Sequence, residues 1–114
     1  MAEVGRIGNA LTGPGLLSEK FRKEPTTSDN VGIGPNTKER FYAMGVGVIG
    51  DWIIPNPNMN GFPTFMVTLF GTTLTIVVTT TIANGYESSD TPSTEVFRKI
   101  AALVAPDNPF PSNL

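Results

Sequence analysis

Gly61 to Ala83, GFPTFMVTLFGTTLTIVVTTTIA, is the longest apolar stretch of the chain and lies inside an uncharged run from Trp52 to Tyr86. About 20 mostly apolar residues cross a bilayer, so its length permits a membrane-spanning helix. Its composition favours strands. Twelve of the residues from Phe65 to Ala83 are Val, Ile or Thr, side chains that are stiff at χ1 and suit a pleated surface. Phe65, Val67 and Leu69 share one parity, with Thr64 and Thr68 on the other. After Gly71 the phase flips, and Leu74, Ile76, Val78 and Ile82 alternate with Thr73, Thr75, Thr79 and Thr81. Period two on both sides of a glycine is the pattern of two strand segments joined at a bulge or kink. Met66, Phe70 and Val77 break the alternation. A helix would instead align Thr68, Thr72, Thr75 and Thr79 beside Gly71, a small-residue stripe of the kind that packs transmembrane helices.

Working outward, the segment after the stretch changes grammar. Thr91 fits an N-cap, Pro92 the first helical position and Glu95 the first turn. Val96, Phe97, Ile100, Leu103 and Val104 follow at helical spacing and Pro106 stops the run. An amphipathic helix is therefore expected over residues 91–105, with a tail over 106–114. Its apolar face needs a surface to lie on, and a partner chain is one way to supply it.

Upstream, residues 50–63, GDWIIPNPNMNGFP, read as a loop. Lys38 to Ile49, KERFYAMGVGVI, reads as a strand with Arg40, Tyr42, Met44, Val46 and Val48 on one parity. Gly45 and Gly47 there argue against a helix and for close approach of another backbone. Pro25 to Asn36 is rich in turn formers. LLSEKFRKE, residues 16–24, fits a strand with Lys20 and Arg22 on one face, or a short pair of helical turns. Residues 1–17, with the Gly13-Pro14-Gly15 turn signal, are expected to form a small hairpin.

The chain has 114 residues, enough for one domain with a modest core. Charged residues make up 16%, against an ordinary quarter. Twelve glycines and ten prolines favour strands and turns over long helices, and the mean hydropathy of +0.01 is low for a small membrane subunit. A net charge of −2 gives no general basic field, yet Arg6, Lys20, Arg22, Lys23, Lys38 and Arg40 all precede Phe41 and only Arg98 and Lys99 follow it. In a membrane protein that asymmetry would place the N-terminus in the cytoplasm. No basic segment followed by an apolar one opens the chain, so a cleaved secretory signal is not expected.

Cysteine and histidine are both absent. That removes disulfides, thiolate nucleophiles, the commonest general base and the commonest metal ligand. Glycines near small residues in GNALTG and VGIGPNT match neither a dinucleotide fingerprint nor a Walker sequence. No enzyme activity and no cofactor are expected.

In order, the elements are a short hairpin, a basic segment (KFRKEP), a strand opening with charged and aromatic residues (KERFYAMGVGV), a Pro-rich loop (DWIIPNPN), a Thr/Val strand pair (LTIVVTTTIA), a helix (STEVFRKIAALVA) and an Asp-Asn-Pro segment. Over residues 16–110 this order resembles the coat proteins of single-stranded RNA bacteriophages of the levivirus type. The resemblance implies an α+β fold, with a sheet over residues 18–83 and a C-terminal helix that packs on a dimer partner. It implies self-assembly into an icosahedral shell around single-stranded RNA, made in the host cytoplasm and found in the virion. The sheet face carrying Lys20, Arg22, Lys38 and Arg40 would neutralise phosphates, and Tyr42 would stack on an unpaired base. Val96, Phe97, Ile100, Leu103 and Val104 would form the dimer contact.

The residues also leave open a single-span accessory subunit of a larger photosynthetic or respiratory membrane complex, with Trp52 and Tyr86 as interfacial anchors. A β-rich domain that takes a protein partner along a sheet edge is a third reading.

Overall fold

The apolar stretch is a β-hairpin. A computed structural model describes residues 2–24, 30–43, 45–55, 58–59, 62–81 and 92–111, and within it the stretch divides into two antiparallel strands. Numbered in chain order, the strands are β1 (Arg40–Ala43), β2 (Val46–Ile49), β3 (Trp52–Ile54), β4 (Asn58–Met59), β5 (Phe62–Leu69) and β6 (Thr75–Thr79). β5 pairs β6 with Phe65 opposite Val78 and Val67 opposite Ile76. Gly71, at φ 75°, supplies the left-handed turn residue, and the Thr72 hydroxyl ties the turn to the Leu69 carbonyl at 2.8 Å. The glycine thus marks a full reversal rather than a kink. Among the described residues no helix is long and apolar enough to cross a membrane.

All strand pairings are antiparallel. β1, β2, β3 and β5 follow one another across the sheet; β4 continues along the same edge of β5 as β3, and β6 takes the other edge. The sequence segment expected as one strand from Lys38 to Ile49 is a tight hairpin, with Ala43 opposite Val46 and Gly45 at φ 81°. A second short turn at Gly50, φ 56°, sends the chain into β3, so part of the expected loop over 50–63 is strand.

Directly opposed residues share a face, so the register defines two faces. On one lie Arg40, Tyr42, Gly47, Ile49, Trp52, Ile54, Phe65, Val67, Leu69, Ile76 and Val78; on the other lie Phe41, Ala43, Val46, Val48, Ile53, Thr64, Met66, Thr68, Thr75, Val77 and Thr79.

The C-terminal helix forms as expected. It starts at Pro92 and ends at Val104, two residues before Pro106. It lies on the first face, over β5 and β6, where Phe97 and Ala101 are fully buried against Trp52, Val67, Leu69, Ile76 and Val78. Trp52, Phe65, Phe97 and Phe110 form an aromatic cluster, with the Trp52 and Phe97 rings edge to face at 5.5 Å. Such edge contacts stabilise beyond area burial alone. The segment expected as a tail is held down through residue 111: the Trp52 indole N–H donates to the Asn108 carbonyl at 3.0 Å, and Phe110 packs against Phe97 at 4.9 Å.

The N-terminus is a helix, α1 (Ala2–Thr12), not a hairpin. Val4, Ile7 and Leu11 already have helical spacing, and tertiary contact decides against the glycine signals. Gly8 presses on the second face, where an added Cβ would stand 2.6 Å from Thr75 Cγ2 and 2.9 Å from Thr68 Oγ1. No other residue allows that approach. The Thr75 hydroxyl donates to Asn9 Oδ1 at 2.7 Å, and Thr68 and Thr75 hydroxyls lie 3.0 Å apart. With the Thr75 proton committed to Asn9, Thr68 is the donor in that pair. Residues 16–24 also hold a helix, α2 (Glu19–Lys23), capped by the Ser18 hydroxyl and carrying a Glu19–Lys23 ion pair at 2.6 Å. The C-terminal helix is α3. The sheet therefore spans Arg40 to Thr79, not 18 to 83.

Candidate functional site

The five residues expected to share an RNA-facing surface are divided by the fold. Arg40 and Tyr42 do share a face of β1, two residues apart on an exposed strand, and both side chains reach solvent. Lys38 does not join them. Thr37 N–H donates to the Arg40 carbonyl at 2.6 Å while its hydroxyl accepts from Arg40 N–H at 3.1 Å. That turn ends the strand parity at Arg40 and sends Lys38 to the opposite face, beside Asp51, Phe41, Val48 and Ile53 in a cleft of about 220 Å³. Lys20 and Arg22 stand on α2, where a two-residue spacing turns about 200° around the axis rather than repeating a face. A strand would have aligned them; a helix separates them.

β1 is an edge strand, and its outward backbone groups are occupied. Besides the two bonds to Thr37, Tyr42 N–H donates to Asn36 Oδ1 at 3.1 Å and the Tyr42 carbonyl accepts from Asn30 Nδ2 at 2.8 Å. Both polar groups of Arg40 and of Tyr42 are thereby satisfied by the preceding loop. Such capping blunts an edge that would otherwise template pairing with another chain. At the far side of the sheet, ladder alternation turns the backbone groups of Thr75 and Val77 in β6 away from β5.

On the α3 face, Arg40, Tyr42, Gly47, Ile49, Ile54 and Phe65, with Pro35 and Asn36 from the loop, line a cleft of about 300 Å³. Its walls are mainly apolar and no carboxylate lines it. Tyr42 is 52% exposed, lies across the strand from Gly47, and its hydroxyl donates to the Gly45 carbonyl at 3.4 Å.

The helix residues expected at a dimer contact also divide. Phe97 is 0% exposed and Ile100 packs against the same core, so both are spent within the chain. The helix packs on its own sheet because Phe97 and Ala101 recur every four residues over a complementary aromatic and aliphatic face. Val96, Leu103 and Val104 remain outward, with Leu103 83% exposed. Sequence reading missed Gly8, Asn36 and Phe110; an aromatic in the Pro-rich segment 106–111 was a signal for the last. Among the described residues no group of three or more acidic side chains is placed to hold a metal.

Compared with known proteins, the chain matches no family model, no curated protein and no solved structure.

Proposed function

We propose that this chain is a structural subunit that pairs with a second copy and assembles into a closed shell around single-stranded RNA, in the manner of the levivirus-type coat proteins. The observation that carries the reading is α3. Its apolar arc is wider than the sheet beneath it requires: Phe97 and Ala101 cover the core, while Val96, Leu103 and Val104 add an exposed aliphatic flank. The charged residues of the helix, Glu95, Arg98 and Lys99, lie around the axis from that flank. An uncharged flank suits a two-fold contact, where each residue near the axis meets its own copy. The dimer contact in this reading uses Val96, Leu103 and Val104, without Phe97. Arg40 and Tyr42, with Lys20 and Lys38 on separate surfaces, supply contacts to RNA.

Sedimentation of the full chain expressed alone, followed by negative-stain imaging of the fast fraction, tests this. Closed particles that contain RNA support the proposal. A soluble monomer at all concentrations overturns it.

A further inference from the structure

We infer that the cleft between Tyr42 and Phe65 is a subsite for one nucleobase of single-stranded RNA, its phosphate held by Arg40. The inference deepens the RNA reading above and rests on it for the source of the base. Three observations carry it. The slot has about 300 Å³, at the small end of ligand sites and suited to one aromatic ring rather than a chain of them. Its wall is an exposed aromatic: Tyr42 is 52% exposed and pinned at its hydroxyl by the Gly45 carbonyl, so the ring is presented in a fixed pose. Its floor is cleared by Gly47, whose missing Cβ would lie 3.9 Å from the Tyr42 ring and 3.7 Å from the Ile54 carbonyl.

Charge names the ligand class. Arg40 is exposed at the rim, and among the described residues it forms no ion pair. The other cleft pairs Lys38 with Asp51; this one has a cation and no acid. An apolar slot with a π-face and an unopposed guanidinium fits a flat ring that carries an anion, and stacking on tyrosine tolerates any base. Asn36 already accepts from the Tyr42 backbone, which holds its amide at the cleft mouth.

The test titrates the full-length protein with fluorescein-labelled hexauridylate at several salt concentrations and competes it with uridine 5′-monophosphate, uridine and inorganic phosphate. The monophosphate is expected to compete better than either fragment. Tyr42→Leu should weaken binding about tenfold or more, and Gly47→Ala should do the same while thermal unfolding and sedimentation stay as in the parent. Arg40→Gln should flatten the log–log salt slope by about 0.7. Equal affinity of parent, Tyr42→Leu and Gly47→Ala overturns the subsite. So does loss of self-association in Gly47→Ala with RNA affinity intact, which gives the cleft to a second copy. RNA-filled particles formed equally by all variants sink the subsite alone. Tyr42-dependent binding of the monophosphate by a protein that never assembles retains the subsite and sinks the shell.

Discussion

The two faces of the β5–β6 hairpin adhere to their helices by different chemistry. Under α3 the contact is aromatic and aliphatic, with Phe97 fully buried among Trp52, Phe65 and Phe110. Under α1 the contact is hydroxyls and a glycine, with Thr68 at 1% exposure and Gly8 against the Thr68–Thr75 pair. Alternation along one strand pair builds both. The first face is held by non-directional burial, which tolerates small shifts. The second is held by directed bonds in a place with no room, and Thr64 and Thr79 repeat the motif with hydroxyls 3.0 Å apart. The lesson is that a strand with threonine on alternate positions need not have a solvated face. It can dock a helix, provided the helix brings a glycine and an acceptor.

Phe97→Ala should cost the most, about 3–5 kcal/mol, because a fully buried ring leaves a cavity that the cluster refills only in part. Urea unfolding reads this, and a loss under 1 kcal/mol would break the claim that the first face dominates. Next, Gly8→Ala should destabilise by about 2 kcal/mol, although alanine alone raises helix propensity by about 1 kcal/mol. The Thr75 methyl that it meets sits on a hydroxyl anchored to Asn9 and Thr68, so it has little freedom to move. A rise in the urea midpoint would mean that α1 does not bear on the threonines. Thr75→Val should cost about 1.5 kcal/mol, since it strands the buried Thr68 hydroxyl without its acceptor; the Thr68→Val, Thr75→Val pair should recover most of that. A double-mutant cycle with no coupling would remove the hydroxyl contact from the account. Smallest in stability is Asn36→Ala, about 1 kcal/mol, which opens the Tyr42 N–H at the β1 edge. Its readout is light scattering, with concentration-dependent association expected where the parent shows none through that edge.

The hairpin was legible because its two faces differ in polarity: Phe65, Val67 and Leu69 alternate with Thr64 and Thr68. The residues that break the alternation, Met66 and Val77, are cross-strand partners on the threonine face, and α1 explains their apolarity. α3 was legible from Pro92, Glu95 and the four-residue recurrence. α1 was not, because Gly5, Gly8 and Gly13 read locally as turns, and the purpose of Gly8 lies at Thr68 and Thr75, more than sixty residues away. Of the site, the shared face of Arg40 and Tyr42 follows from parity. The separation of Lys38 does not, since it depends on backbone and hydroxyl bonds of Thr37. The break at Gly45 was hidden for a similar reason: the alternation of Tyr42, Met44 and Val46 runs straight through the turn. The expected N-cap Thr91 and the aromatic Tyr86 lie outside the described residues.

The occupied edge of β1 has a consequence for stoichiometry. In polymer chemistry a monomer with two reactive ends grows a chain, while a monomer with one can couple once and then stops. Asn30, Asn36 and Thr37 quench one of the two hydrogen-bonding ends of this sheet. Any coupling through the backbone ladder is then left to the other end, so the sheet is a monofunctional unit whose largest laddered product is a pair. Larger assemblies must be joined by side chains instead.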